Sequence, residues 1–306
     1  MFAKRRGRFL RALPFLAPML TGLILFNLIP IFASLAISLT NWSGMSRVRL
    51  FDGFFTFVRE RFAGLDNYTN MFKDGEVWRV LGHNAYFIAL YLPIMLIMAL
   101  IVACIIQRNG RLTGMYRVMY YIPVLTSWVA GSLIWKWMLS PEYGPINNLL
   151  SLIGIQGPLW LQSETWVMPS IVLASVWKDM GFYGMILLAG LLAINPEYYE
   201  AADMDGAGFL RKLTHITVPL LSPILFYVVM LSLINAFQLF PQVMVMTNNA
   251  GPNGAATVMV ERIYKYAFQF GKMGYAAAWS WVLFAVILAF TAVQNVLQKR
   301  WVHYDA

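Results

Sequence analysis

Long apolar runs separated by short polar punctuation recur six times along the chain, at roughly 13–39, 83–106, 116–139, 166–192, 219–246 and 275–298. Each reaches the ~20 residues that a helix needs to cross hydrocarbon. The pattern therefore predicts an all-α, polytopic membrane protein of six transmembrane helices, with both termini on one side. The fifth run carries Pro219 and Pro223 at its start and Pro241 near its far end. Membrane helices tolerate proline where a neighbour re-satisfies the freed backbone groups.

The interruption between the fourth and fifth runs has a pattern of its own. The stretch EYYEAADMDGAGFLRKLTHITVPLLSP, residues 197–223, packs carboxylates, two glycines and the basic pair Arg211 and Lys212 between two greasy segments. Asn195 suits a helix cap and Pro196 a first helical position, and Glu197 and Glu200 fall at the positive helix end. Gly206 and Gly208 permit a turn of unusual dihedrals. Phe209, Leu210, Leu213, Ile216 and Thr217 then resume near-helical spacing. Two short helices and a bend are expected, either as a docking element or as a plain solvated linker.

Composition agrees with the periodicity: of 306 residues 59% are hydrophobic and 12% charged, with mean hydropathy +0.62. Such a chain is too apolar for a soluble domain. The net charge of +9 does not signal nucleic acid, because Lys and Arg punctuate the gaps between apolar runs instead of clustering on one polar face. Their distribution gives orientation instead. Lys4, Arg5, Arg6, Arg8 and Arg11, then Arg108 and Arg111, then Arg211 and Lys212, then Lys299 and Arg300 fall on the side of the termini. The opposite side includes residues 140–165 without any Lys or Arg, and a first loop whose basic residues are nearly balanced by acids. The positive-inside rule places both termini and the 193–218 loop in the cytoplasm. The expected organisation is a basic cytoplasmic N-terminus (1–12), a six-span domain (13–298) and a cytoplasmic tail (299–306). The basic-then-apolar start resembles a signal peptide, but its apolar part runs to about Leu39, so a retained first span is expected. The single cysteine, Cys104, excludes an intramolecular disulfide.

The loop carries a resemblance. Glu200-Ala201-Ala202, three residues on to Gly206 directly after Asp205, nine residues on to Ile216, and then Pro219 reproduce the spacing of the EAA loop of bacterial ABC importer membrane subunits. Val218 departs conservatively from the leucine usual before the proline. FAGLDNYTNMF, GLLAINPEYYEAADMDGAG and VMTNNAGPNGAATVMVERIYKYAF resemble the carbohydrate-uptake branch, in particular its maltose-permease-like first subunit. The likeness runs from about residue 13 to 298, without the large outer-loop insertion of some maltose permeases. It implies a bacterial or archaeal cytoplasmic membrane. It also implies a second homologous permease, two cytoplasmic ATPase subunits that hold ATP and Mg and bind the loop through Glu200, Ala201, Ala202, Asp205, Gly206, Ile216 and Pro219, and an extracytoplasmic solute-binding protein that delivers sugar. The chain itself carries no G-x-x-x-x-G-K-[ST] phosphate loop. It is expected to hold no cofactor or metal of its own and to be no enzyme. His83, His215 and His303 show no metal-ligand spacing.

A path for a polyol needs hydrogen-bonding groups and an aromatic plane in an apolar cavity. Span four offers Trp177, Asp179 and Tyr183; span five offers Ser232, Asn235 and Gln238 at successive i, i+3 steps. Such stripes equally serve as glue between helices. Lys178 and Asp179 inside a span also raise a secondary transporter, since intramembrane charges often mark ion pathways. That reading lacks the expected internal similarity of halves. Importers of the same architecture for glycerol phosphate or a polyamine stand as the alternative.

Overall fold

The computed structural model describes residues 14–45, 53–107 and 113–301. The basic N-terminus, Arg108, Arg111 and His303 lie outside them. The described residues form helices and no strand beyond one isolated bridge, Thr40 with Phe62. Four helices are long and apolar enough to span a membrane unbroken: α1 (Pro14–Ser38), α2 (Glu76–Gln107), α5 (Val167–Ala193) and the apolar part of α10 (Met273–Trp301).

The third and fifth expected spans are broken. Span three is α3 (Thr113–Leu125) followed by α4 (Trp128–Met138), bent by 100° at Thr126 and Ser127. Ser127 caps α4, its Oγ accepting from the Ala130 N–H at 3.1 Å. Span five begins where α7 (Phe209–Leu220) turns by 73° into α8 (Ser222–Phe237). It stops at Phe237, and Pro241 opens a separate α9 (Pro241–Met246). Each break coincides with a proline that apolar periodicity alone does not register.

The chain divides into two compact units. In the smaller, residues 1–75 with 263–282, the Asn67 amide donates to the Ser38 and Thr40 carbonyls at 2.8 Å each and fixes the end of α1. In the larger, residues 76–262 with 283–306, α2 and α5 form the central pair. Phe87, Tyr91, Met95, Ala99, Val102 and Ile106 of α2, spaced by three and four, are all buried. α5 is buried on most of its circumference. Since lipid tails are as apolar as leucine, helix association here depends on close approach. A Cβ at Gly181 would sit 1.9 Å from the Tyr120 carbonyl oxygen, and one at Gly184 3.2 Å from that of Ala99.

A polar cavity among apolar helices

The central pair, together with α4, α8 and α9, encloses a cavity of about 330 Å³. α2 contributes Phe87 and Tyr91, which stack at 5.2 Å, and α4 contributes Trp128. α5 contributes Ser175 and Asp179, one turn apart on one face. Asn235 and Gln238 come from the end of α8 and Gln242 from α9. Tyr91 donates its hydroxyl to Asp179 Oδ2 at 2.7 Å, and the Asn235 amide donates to the Tyr183 hydroxyl at 3.1 Å. The polar groups are thereby tied across α2, α5 and α8.

Two buried atoms stand out. Among the described residues, Ser175 Oγ and Gln242 Oε1 find no hydrogen-bond partner, though their residues are 1% and 6% exposed. An unsatisfied buried polar group is costly, so such atoms on a cavity wall point to a ligand that completes them.

Of the six side chains expected on a substrate path, Asp179, Asn235 and Gln238 reach the cavity. Trp177 does not line it, lying edge-on to Trp135 at 5.9 Å. Tyr183 is buried behind Asn235, and Ser232 is fully buried, donating to the Val229 carbonyl at 3.1 Å. The stripe in α8 splits because each i, i+3 step lags a full turn by about 60°. Ser175 was legible at i−4 from Asp179. Tyr91, Trp128 and Gln242 were not, since they arrive from other helices and, for two of them, across breaks.

Lys178 neither pairs with Asp179 nor snorkels. Its ammonium donates to the carbonyls of Pro123, Val124 and Thr126 at 3.0, 3.2 and 2.7 Å, and lies 5.1 Å from the Trp128 ring centre. The Pro123 carbonyl also accepts the Thr126 N–H and hydroxyl, and a cation at this corner meets the negative end of α3. Lys136 reaches the Val245 carbonyl at 3.3 Å.

The polar interruption forms an elbow of α6 (Glu197–Met204) and α7. Asn195 Oδ1 accepts the Glu197 N–H at 3.1 Å. α6 closes with Gly206 N–H on the Asp203 carbonyl and Ala207 N–H on that of Ala202, at 3.0 and 2.9 Å. Gly206 has φ +71°, the left-handed residue this closure needs. Gly208 does not take such a φ. Lys212 pairs with Asp203, and the Tyr199 and Thr217 hydroxyls meet at 3.0 Å, clamping α7 to α6. Of the expected coupling residues, Glu200, Ala201 and Asp205 are exposed, while Ala202, Ile216 and Pro219 are half-buried. Tyr198, Met204, Phe209 and Leu210 are also exposed, Met204 at 89%.

Residues 62–303 match the family model described as "Binding-protein-dependent transport system inner membrane component". The chain is 31% identical to the lactose transport system permease protein LacF of Rhizobium radiobacter, covering 92% of this chain and 91% of the relative. It is 31% identical to the trehalose/maltose transport system permease protein MalF of Thermococcus litoralis, covering 90% and 89%. In fold it is similar to a chain of a bacterial ABC transporter that imports the acidic polysaccharide alginate, with TM-score 0.80, 22% identity and 98% of both chains covered.

Proposed function

The chain belongs to the family of binding-protein-dependent transport system inner membrane components, and we propose that it supplies half of the pathway of an ATP-driven sugar importer. It is an ABC transporter permease, a transport subunit and not an enzyme. The observation that carries the sugar reading is the cavity. Phe87, Tyr91 and Trp128 line it beside amides, a carboxylate and the unpartnered Ser175 Oγ and Gln242 Oε1, between helices that are otherwise apolar. A saccharide offers hydroxyls to those groups and C–H faces to the rings. Relatives named for lactose and for trehalose and maltose support the same class. Importers for another solute, such as a polyamine, remain the alternative that uptake measurements separate.

The rest of the machine follows from this reading. A second permease completes the pathway, and two ATPase subunits hold ATP and Mg and dock on the elbow. A binding protein delivers cargo to the outer face, and both termini face the cytoplasm. Support for the docking is the exposure of Tyr198, Met204, Phe209 and Leu210 beside Glu200 and Asp205. Exposed apolar side chains beside exposed charges are what an interaction site offers.

The test is ATP-driven uptake of lactose, maltose and trehalose by the reconstituted complex. Loss of one sugar hydrogen bond is worth about 0.5–1.5 kcal/mol, so Gln238→Ala and Gln242→Ala should each lower uptake several-fold to tenfold. Assembly with the ATPase should persist. Uptake kinetics unchanged in the double variant would leave these amides as helix glue.

A further inference from the structure

We propose that the cavity selects against anionic cargo and that Asp179 is the residue that enforces the selection. The inference rests on the sugar-import reading and narrows it to saccharides that are neutral or carry amino groups.

The argument is a count of open hydrogen-bonding valences and charges. A carboxylate has acceptor sites and no donor, and Asp179 uses Oδ2 for the Tyr91 hydroxyl. Its remaining acceptor capacity stays available on the cavity wall. Gln242 presents an unpartnered acceptor, Oε1, and Ser175 a hydroxyl that can donate or accept. The Asn235 amide is already donating to Tyr183. The Gln238 and Gln242 amides add N–H donors, so hydroxyls find both donors and acceptors on the wall, while the formal charge on the lining is that of the Asp179 carboxylate.

Among the described residues, no Lys, Arg or His lines the cavity. Lys178 is adjacent in sequence to Asp179, but its ammonium is spent on three backbone carbonyls at the α3–α4 corner, and the residue is 6% exposed. The anionic group of a uronate, phosphate or sulfonate entering here would bring only acceptors and a second negative charge. It would be stripped of water beside a carboxylate, with no cation to receive it, in surroundings where like charges repel far more strongly than in water. A neutral sugar meets no such barrier, and two neighbouring hydroxyls can both donate to the one carboxylate.

The same chemistry bears on the alternatives. Glycerol phosphate fails on charge, and so does an acidic polysaccharide such as the alginate carried by the transporter of similar fold.

The experiment reads the permease's own preference, so binding protein is left out. Equilibrium dialysis on the full complex in nanodiscs compares lactose, maltose and trehalose with counterparts in which one terminal CH₂OH is oxidised to carboxylate. Each neutral sugar should bind about tenfold or more tighter than its acid, a ratio that corresponds to a small free-energy difference. Asp179→Asn should bring the ratio to within about threefold, mainly by gain of the acid, while Asp179→Glu should preserve it. Should the asparagine variant fail to assemble, the uncharged amide of each acid should bind the wild type to within about threefold of the neutral sugar. Equal binding of acid and neutral sugar by the wild type, or an amide that binds as weakly as its acid, overturns the charge rule and leaves sugar import standing. Absence of binding and of uptake for every sugar overturns the import reading and this inference with it.

Discussion

At the scale of single residues, Lys178 carries the most information. A charged side chain in a span is expensive, and it persists where partners compensate it. Here the compensation is structural: three carbonyls at the corner where α3 ends receive the ammonium. The bend they define sets where Trp128, the first residue of α4, enters the cavity. Lys178→Met should take this donor from the Val124 and Thr126 carbonyls, at about 1–3 kcal/mol for each that finds no other, while the Pro123 carbonyl keeps its Thr126 donors. Thermal unfolding of the purified complex should shift downward and sugar binding should weaken with it. A variant with wild-type melting and wild-type binding would show that the corner stands without its lysine.

At the scale of elements, the elbow combines a rigid closure with an outward apolar surface. Gly206 holds φ +71° in open space, so a substitution there acts on the backbone and not by collision. Gly206→Val should cost about 1–2 kcal/mol at that position and reorient α7 against α6. Glu200→Lys leaves the fold alone and reverses an exposed charge. Both should abolish transport and the stimulation of ATP hydrolysis by sugar-loaded binding protein, with binding-protein docking retained, because coupling passes only through differential contacts. The measurement is ATP hydrolysis by the reconstituted complex with and without loaded binding protein, alongside capture of the ATPase. Wild-type hydrolysis and transport in both variants would reduce the elbow to a linker.

At the scale of the whole molecule, the distribution of Lys and Arg sets a prediction about sidedness. In a background lacking Cys104, cysteines placed at Ser163 or Asn253 should react with an impermeant thiol reagent applied outside, and one at Lys212 should not. Labelling at 212 from outside would reverse the orientation of every loop.

What the sequence determined by itself is what depends on local pattern. Apolar length found the four unbroken membrane helices and the two bent pairs that stand where the third and fifth runs lie, because crossing hydrocarbon is a property of a segment and needs no partner. The elbow was legible for the same reason: Asn195, Pro196 and Gly206 specify a start and a stop through their own side chains and dihedrals. Tertiary structure decided the breaks in spans three and five, since Pro123 and Pro241 are tolerated or disruptive according to which neighbours satisfy the freed backbone. It also decided which polar side chains meet. Asp179, Asn235 and Gln238 were visible as polar residues in apolar runs, but Ser232 was visible in the same way and turned into the packing. Tyr91, Trp128 and Gln242 join the site from three further helices. Periodicity assigns a residue to a face of its own helix; only the packing of helices decides what that face meets.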